Sequence, residues 1–326
     1  MTQVVLIGIG AGATAALLFA SVTGAGLSVI LFYLAPLPIM IVALGWSHWA
    51  ALVAAVVAAA MLGGTFGIFF FGTFLTSIGV PAWWLGYLAL LGRPIAKGGA
   101  ARMEWYPPGR LVLWAAMLGA AVIVSALATF GDDQATIRNG LKGALEQVLR
   151  LQTDVAADTP LRFPGIRDTD GVIDMLAAVL PPAAAVIAAT TQTGNLWLAG
   201  RVVKLSGRLR RPWPDLTALS FPPLAAASFG ALLVGSFLPG LAGLVASLCT
   251  ATLTVAFAMV GFAVLHTITR HIRGRAAVLS GIYGTVILLI WLVWPVVIMA
   301  LIGVAETLFG LRARISRRGP PAAPKT

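Results

Sequence analysis

From Met1 to Gly92 the chain contains no Asp, Glu, Lys or Arg, and its ionisable side chains there are Tyr33, His48 and Tyr87. A water-facing surface of that length needs charge. A segment crossing lipid must exclude it, because a charged side chain at the centre of a membrane helix costs about 3 kcal/mol on insertion scales. The chain is therefore expected to be an all-α, polytopic membrane protein. The remainder agrees, with 59% hydrophobic and 10% charged residues in 326 and a mean hydropathy of +0.95, against about 25% charged in soluble domains. The net charge of +11 would suggest nucleic acid in a soluble protein. Here the basic residues sit in short connectors between apolar runs, so no nucleic-acid partner is expected and the bilayer itself is the first partner.

Taken in order, Val4 to Val22 forms a first span in which Gly8 and Gly12, Ala11 and Ala15, and Ala16 and Ala20 are each four apart. Such spacing lets helices approach closely, in ordinary internal packing or against a dedicated partner. Leu27 to Trp46 holds Pro36 and Pro38, each of which removes a backbone donor, so this span must be kinked or broken and the carbonyls near Phe32 to Leu34 are freed. Ala50 to Phe70 and Gly72 to Leu91 follow, with Gly63-Gly64 and Pro81 as breakers.

Sign alternation sets the orientation. The connectors Arg93 to Arg110, Arg201 to Asp215 and Arg270 to Arg275, with the tail after Gly310, hold 17 of the 22 Lys and Arg residues, whereas the connector Gly131 to Asp174 holds 8 of the 11 acids. The positive-inside rule places the basic set in the cytoplasm and the acidic connector outside. Inside that connector Ile137, Leu141, Ala144, Leu145 and Val148 recur at helical spacing, predicting an amphipathic helix on the bilayer surface or over the membrane domain, although Gly140 and Gly143 weaken it. The stretch Asp154 to Asp170 is open to disorder. Val172 to Gly200 returns inward, with an expected break at Pro181-Pro182. Two hairpins complete the chain, one turning at Pro239-Gly240 and one near Trp294-Pro295. The sum is about ten crossings with both termini inside, or eight or nine if the first quarter holds re-entrant segments. One membrane domain, residues 1–314, is expected, with 131–173 as its external loop and 315–326 as a disordered cytoplasmic tail. The N-terminus lacks the positive region of a cleavable signal, so the first helix is expected to be retained.

Polar residues inside apolar runs are the candidate site. The inner half of the sixth long run reads Thr190-Thr191-Gln192-Thr193-Gly194-Asn195. Uncharged amides and hydroxyls at that depth either bond across helices or line a polar cavity. The candidate substrate-binding set is Asn195, Gln192 and Thr191, with Tyr33, Pro36 and Pro38 at the broken helix, and Glu306, the one carboxylate in the last apolar run. Glu306 lies six residues from Arg312, so it either faces Arg312 and snorkels, or reaches Arg201 or Asn195 and clamps the last helix to the polar patch. Cys249 is single and His48, His266 and His271 are dispersed, so no disulfide, metal or other cofactor is expected. Neither His-Glu-x-x-His nor Gly-x-Ser-x-Gly nor a nucleotide-binding Gly-x-x-x-x-Gly-Lys-Ser/Thr occurs, so no enzyme is expected and a transporter would need a separate energy source.

The stretches Leu27 to Trp46, Asn195 to Asp215 and Gly303 to Arg314 resemble the YybS-like family of bacterial membrane proteins, a domain of unknown function. That family is distantly similar to the substrate-binding S components of energy-coupling-factor vitamin transporters and to the rod-shape protein MreD. The resemblance implies a multi-pass protein of the bacterial inner (plasma) membrane. It implies either a transporter or substrate-binding subunit for a small solute, working with a separate ATPase and T-type subunit, or a non-catalytic scaffold holding envelope-assembly or division proteins.

Overall fold

The apolar runs form helices whose ends fall where Gly, Pro or a polar cap interrupts them. The computed structural model describes residues 2–21, 26–97, 100–153, 168–288 and 293–317. Helix α1 (Thr2–Ala20) precedes α2 (Gly26–Tyr33) and α3 (Pro36–Gly45), which together are the proline-broken span, and α4 (His48–Phe66) begins where the Ser47 hydroxyl accepts the Ala50 N–H at 3.2 Å. Gly67, at φ +103°, turns the chain into α5 (Ile68–Phe74). A single π-helical turn, Leu75–Gly79, then leads into α6 (Val80–Ala89), the Val80 N–H reaching back five residues to Leu75. That wider turn lies directly before Pro81, which has no N–H to give, so the helix continues through it.

A hairpin of β1 (Gly92–Lys97) and β2 (Ala100–Trp105) follows, then α7 (Pro108–Leu127), α8 (Gln134–Thr153) and α9 (Thr169–Leu205). After a 3₁₀ turn at Leu216–Ala218 come α10 (Pro223–Gly235), α11 (Gly240–Ile268), α12 (Arg275–Leu288), α13 (Trp294–Phe309) and α14 (Leu311–Arg317). Among the described residues seven runs are long and apolar enough to cross a membrane, α2 with α3 and α5 with α6 each counting as one, and α10, α12 and α13 are shorter apolar helices of 13, 14 and 16 residues. A full crossing takes about 20 residues. The fold is an all-α polytopic bundle, and its apolar exterior, with Phe237 84% exposed, is what lipid would cover.

Small residues set the closest approaches. A Cβ on Gly8 would lie 2.8 Å from the Ala50 carbonyl and one on Gly12 2.6 Å from that of Ala54, so the spacing read from α1 serves internal packing on the alanine face of α4. Between α11 and α13 the contact is reciprocal: a Cβ on Gly261 would meet the Met299 carbonyl at 1.9 Å, and one on Gly303 the Phe257 carbonyl at 2.0 Å. Helices α1 and α3–α6 share one core with Ala199 and Val203 of α9, while α10, α11 and α13 share another with Ala116 of α7. Helices α7 and α9 join the two groups.

Four expectations change. The break at Pro181-Pro182 is absent, since α9 runs unbroken through both; the prolines cannot serve the Ala177 and Ala178 carbonyls, yet both ends of the run remain packed in the bundle. Gly63 and Gly64 lie inside α4 and Pro81 lies inside the continuous helical run of α5 and α6, so neither site is a break, and the break falls at Gly67 instead. The connector after Gly92 is a hairpin in which Arg93 stands opposite Glu104, their side chains 2.6 Å apart. The chain is helical through Arg317, past the expected start of the tail at 315; residues 318–326, and 154–167 of the acidic connector, lie outside the described residues. The amphipathic helix is α8. Ile137 is buried against α9 and α11, Lys142 and Arg138 pair with Asp174, and the Gln134 Oε1 accepts the Gly240 N–H at 2.8 Å, so α8 covers this end of the bundle through its first half while Val148 and Leu151 stay exposed.

Candidate functional site

The segment 206–222, between α9 and α10, is where the basic connectors meet. Arginine side chains have long reach and fixed donors, and helix C-termini leave carbonyls unserved, so the two combine. Arg210 donates to the Trp46 carbonyl at the end of α3 (3.1 Å) and Arg211 to the Ala89 carbonyl at the end of α6 (2.8 Å). Arg208 lies over the Trp46 ring at 4.6 Å, and Trp213 stacks beneath α9 with Arg201 and Lys204 over its ring at 5.6 and 5.2 Å. From the other side Arg312 donates to the Thr217 and Leu219 carbonyls, and Arg270 donates to the Thr217 hydroxyl and faces Asp215 at 3.6 Å. A Cβ on Gly109, at the start of α7, would clash with the Ser220 carbonyl at 2.0 Å. The connectors that charge placed on one side of the membrane therefore converge on one end of the bundle, around this folded plug. The Asp215 carboxyl is held below its ordinary value by hydrogen bonds from the Thr217 side chain and backbone, with Arg270 adding to them.

Above the plug lies a cavity of about 620 Å³, within the range of small-molecule sites. Its wall is chiefly apolar, from α7 (Leu111, Val112), α9 (Leu196, Trp197) and α11 (Met259, Phe262). The polar points are Thr190 and Thr193 on α9, Arg211 and Thr217 from the plug, His266 on α11 and Tyr283 on α12, and no Asp or Glu among the described residues lines it. Burial pushes the Arg211 guanidinium down from its ordinary value; an arginine still keeps its charge. Its Nη1 serves Ala89, and its buried Nε finds no partner among the described residues. His266 Nε2 lies 2.8 Å from the Tyr283 hydroxyl, and Arg275 donates to its Nδ1 at 3.2 Å.

The residues singled out in the sequence fall in two other places. Asn195, 4% exposed, donates through Nδ2 to the Tyr33 carbonyl (2.8 Å) and to the Thr191 carbonyl of its own helix (2.9 Å). The prolines explain that partner. With Pro36 and Pro38 unable to donate, Ala35 N–H serves Phe32 and Leu37 N–H serves Leu34, which leaves Tyr33 to be served from α9. Gln192, also 4% exposed, lies on the same face, and its Oε1 is buried without a partner among the described residues, as is the Asn195 Oδ1. Thr191, Tyr33, Pro36, Pro38 and Asn195 are thus gathered at the helix break, with Gln192 buried one turn before Asn195, and all six lie apart from the cavity lining. The polar run of α9 was legible, but only its helical period sorts Thr190, Thr193 and Gly194 onto the cavity face and Asn195 onto the face toward α3.

Glu306 is at the plug. Its Oε1 accepts from Arg312 Nε at 2.8 Å and its Oε2 from the Arg312 backbone N–H at 2.9 Å, with the side chains 9% and 15% exposed. It faces Arg312, as the six-residue spacing allows, but in a mostly buried pair rather than as a snorkelling carboxylate, and it does not clamp Asn195 or Arg201. Gly310, at φ +60°, ends α13 and turns the chain so that residue 312 folds back on 306, its own N–H reaching the Glu306 carbonyl at 2.8 Å. The pair then holds α13 and α14 to the plug through Arg312.

Bundle and cavity define a polytopic α-helical membrane protein. The chain matches the family described as "Predicted membrane protein (DUF2232)" over residues 12–304 and belongs to it, consistent with the YybS-like resemblance read from its sequence. No curated protein and no solved structure matches it.

Proposed function

We propose that this protein is a membrane-embedded, non-catalytic binding subunit or transporter for a small solute, sited in the bacterial plasma membrane with the plug end and both termini in the cytoplasm. The observation that carries this reading is the cavity of about 620 Å³ between α7, α9 and α11, floored by a segment that four arginines pin in place. A floor held by side-chain contacts rather than by continuous helix can open without unfolding the bundle, as a site that loads and releases requires. Movement of solute would draw on a separate ATPase with a T-type subunit, since the chain has no nucleotide-binding loop. The test is a thermal-shift screen of vitamins and metabolites on the purified protein beside its Thr193→Trp variant. A solute that raises the midpoint of the natural protein and not of the variant supports the reading; no shift with any solute contradicts it.

A second reading, a scaffold for envelope-assembly proteins, is favoured by the β1–β2 hairpin, which packs chiefly on itself and presents Arg93 and Arg102 to solvent. Co-purification separates the two. Recovery of an ATPase with a T-type subunit supports binding or transport, and recovery of cell-wall proteins supports the scaffold.

A further inference from the structure

We infer that the cavity takes an anionic amphiphile, an apolar chain or ring system carrying one carboxylate or phosphate, with Arg211 and Tyr283 as the groups that recognise the anion. The inference rests on the binding function proposed above and names its ligand class.

Two donor groups face the cavity. Arg211 lines it with Nη1 fixed on the Ala89 carbonyl, which holds the guanidinium in place, and its Nη2 makes no hydrogen bond among the described residues. The second donor follows from the tautomer of His266. Arginine can only donate, so the Nδ1 that faces Arg275 must carry its lone pair, and the ring proton sits on Nε2. Nε2–H then donates to the Tyr283 oxygen at 2.8 Å, leaving the phenol proton free for a third group. Stacking on Phe262, with ring centroids 5.3 Å apart, keeps Tyr283 on the wall.

The charge on Arg211 is uncompensated within the cavity, because no carboxylate among the described residues lines it: Glu306 is held by Arg312 at both oxygens, and Asp215 turns to Thr217 and Arg270. A half-buried cation without a counter-ion favours an anionic ligand, and a carboxylate or phosphate accepts from guanidinium and phenol together. The rest of the wall is apolar and large enough for a ligand of drug-like size. Selectivity against a neutral alcohol of the same length then comes from the two donors, while the apolar body supplies binding common to both.

The experiment uses the full chain in phosphatidylcholine nanodiscs, with dansyl-undecanoate as the fluorescent probe and empty nanodiscs subtracted. Decanoate and decyl phosphate are expected to displace it at least tenfold better than decanol. Arg211→Gln should remove that preference, so that decanoate and decanol displace the probe equally well, and Tyr283→Phe, which keeps the ring and its stacking, should weaken decanoate several-fold. Equal displacement by decanoate and decanol, or an unchanged preference in a folded Tyr283→Phe and Arg211→Gln pair, would overturn the anion assignment and leave the cavity as a binding site. Failure of every compound to displace the probe, or equal probe binding in Thr193→Trp, would overturn both. The source of the anion separates in the same assay: displacement on adding phosphatidylglycerol to the disc identifies a lipid headgroup, and displacement by free decanoate alone identifies a soluble amphiphile.

Discussion

Helix α9 carries polar residues on two faces within a single run, and the faces have different fates. Toward α3, Asn195 is locked by two hydrogen bonds, one of them to a carbonyl that two prolines deprive of a backbone partner. Toward α7 and α11, Thr190, Thr193 and Gly194 line an unfilled volume, and a Cβ on Gly194 would meet nothing within 4 Å. The difference separates two uses of polarity in a membrane helix. One repairs a defect in a neighbour and fixes the fold; the other leaves capacity for a ligand. The Glu306–Arg312 pair belongs with the locked groups, and Arg211, serving Ala89 with one nitrogen and leaving another free, belongs to both.

The largest expected effect tests the locked side. Glu306→Ala leaves Arg312 without its counter-ion in a mostly buried place, for which a cost of about 3 kcal/mol is expected, read as a lower midpoint in detergent unfolding. Adding Arg312→Met should recover part of it, because the unpaired charge is then gone. An unchanged midpoint in Glu306→Ala would move this pair out of the locked class.

Next comes Asn195→Leu, with a loss of about 1–3 kcal/mol from the unserved Tyr33 carbonyl. The same substitution in a Pro36→Ala, Pro38→Ala background should cost less. There residue 38 regains an N–H for Leu34, freeing the Leu37 N–H to serve Tyr33. Equal cost in both backgrounds would show that Asn195 does not answer the prolines.

These outcomes bear on what the sequence discloses. The charge-free first quarter specified the membrane bundle, and Pro36 with Pro38 specified the break, because both effects act locally and strongly. Pro181 and Pro182 did not break α9, because tertiary packing carried the helix through a defect that local rules count as decisive. The hairpin had a signal in Gly98-Gly99 between short runs, but it was masked by its reading as a charged loop. The cavity was the least legible. Its polar points come from α9, α11, α12 and the plug, and only the fold brings Thr193, Arg211, His266 and Tyr283 together.

A smaller effect sharpens the open side. Thr193→Trp fills existing space, so stability should change by less than about 1 kcal/mol while probe binding is lost; a loss of stability comparable to that of Asn195→Leu would mean that the cavity face is packed.

The smallest effect concerns the plug. Asp215, its carboxyl held below the ordinary range chiefly by Thr217, stabilises the segment above the unfolded value, about pH 4, and that contribution is lost as pH falls through its lower folded value. Thermal midpoints should therefore fall more below pH 4 in the natural protein than in Asp215→Asn. Parallel curves would remove Asp215 from the account.

The central claim, that one face of α9 is open to a ligand and the other is not, is tested most directly by cysteine labelling in a Cys249→Ala background. Thr193→Cys should react with N-ethylmaleimide and be protected by decanoate, whereas Gln192→Cys, one residue away on the buried face, should stay unlabelled with or without it. Equal labelling at the two positions, or labelling at Thr193→Cys that decanoate leaves unchanged, would contradict it.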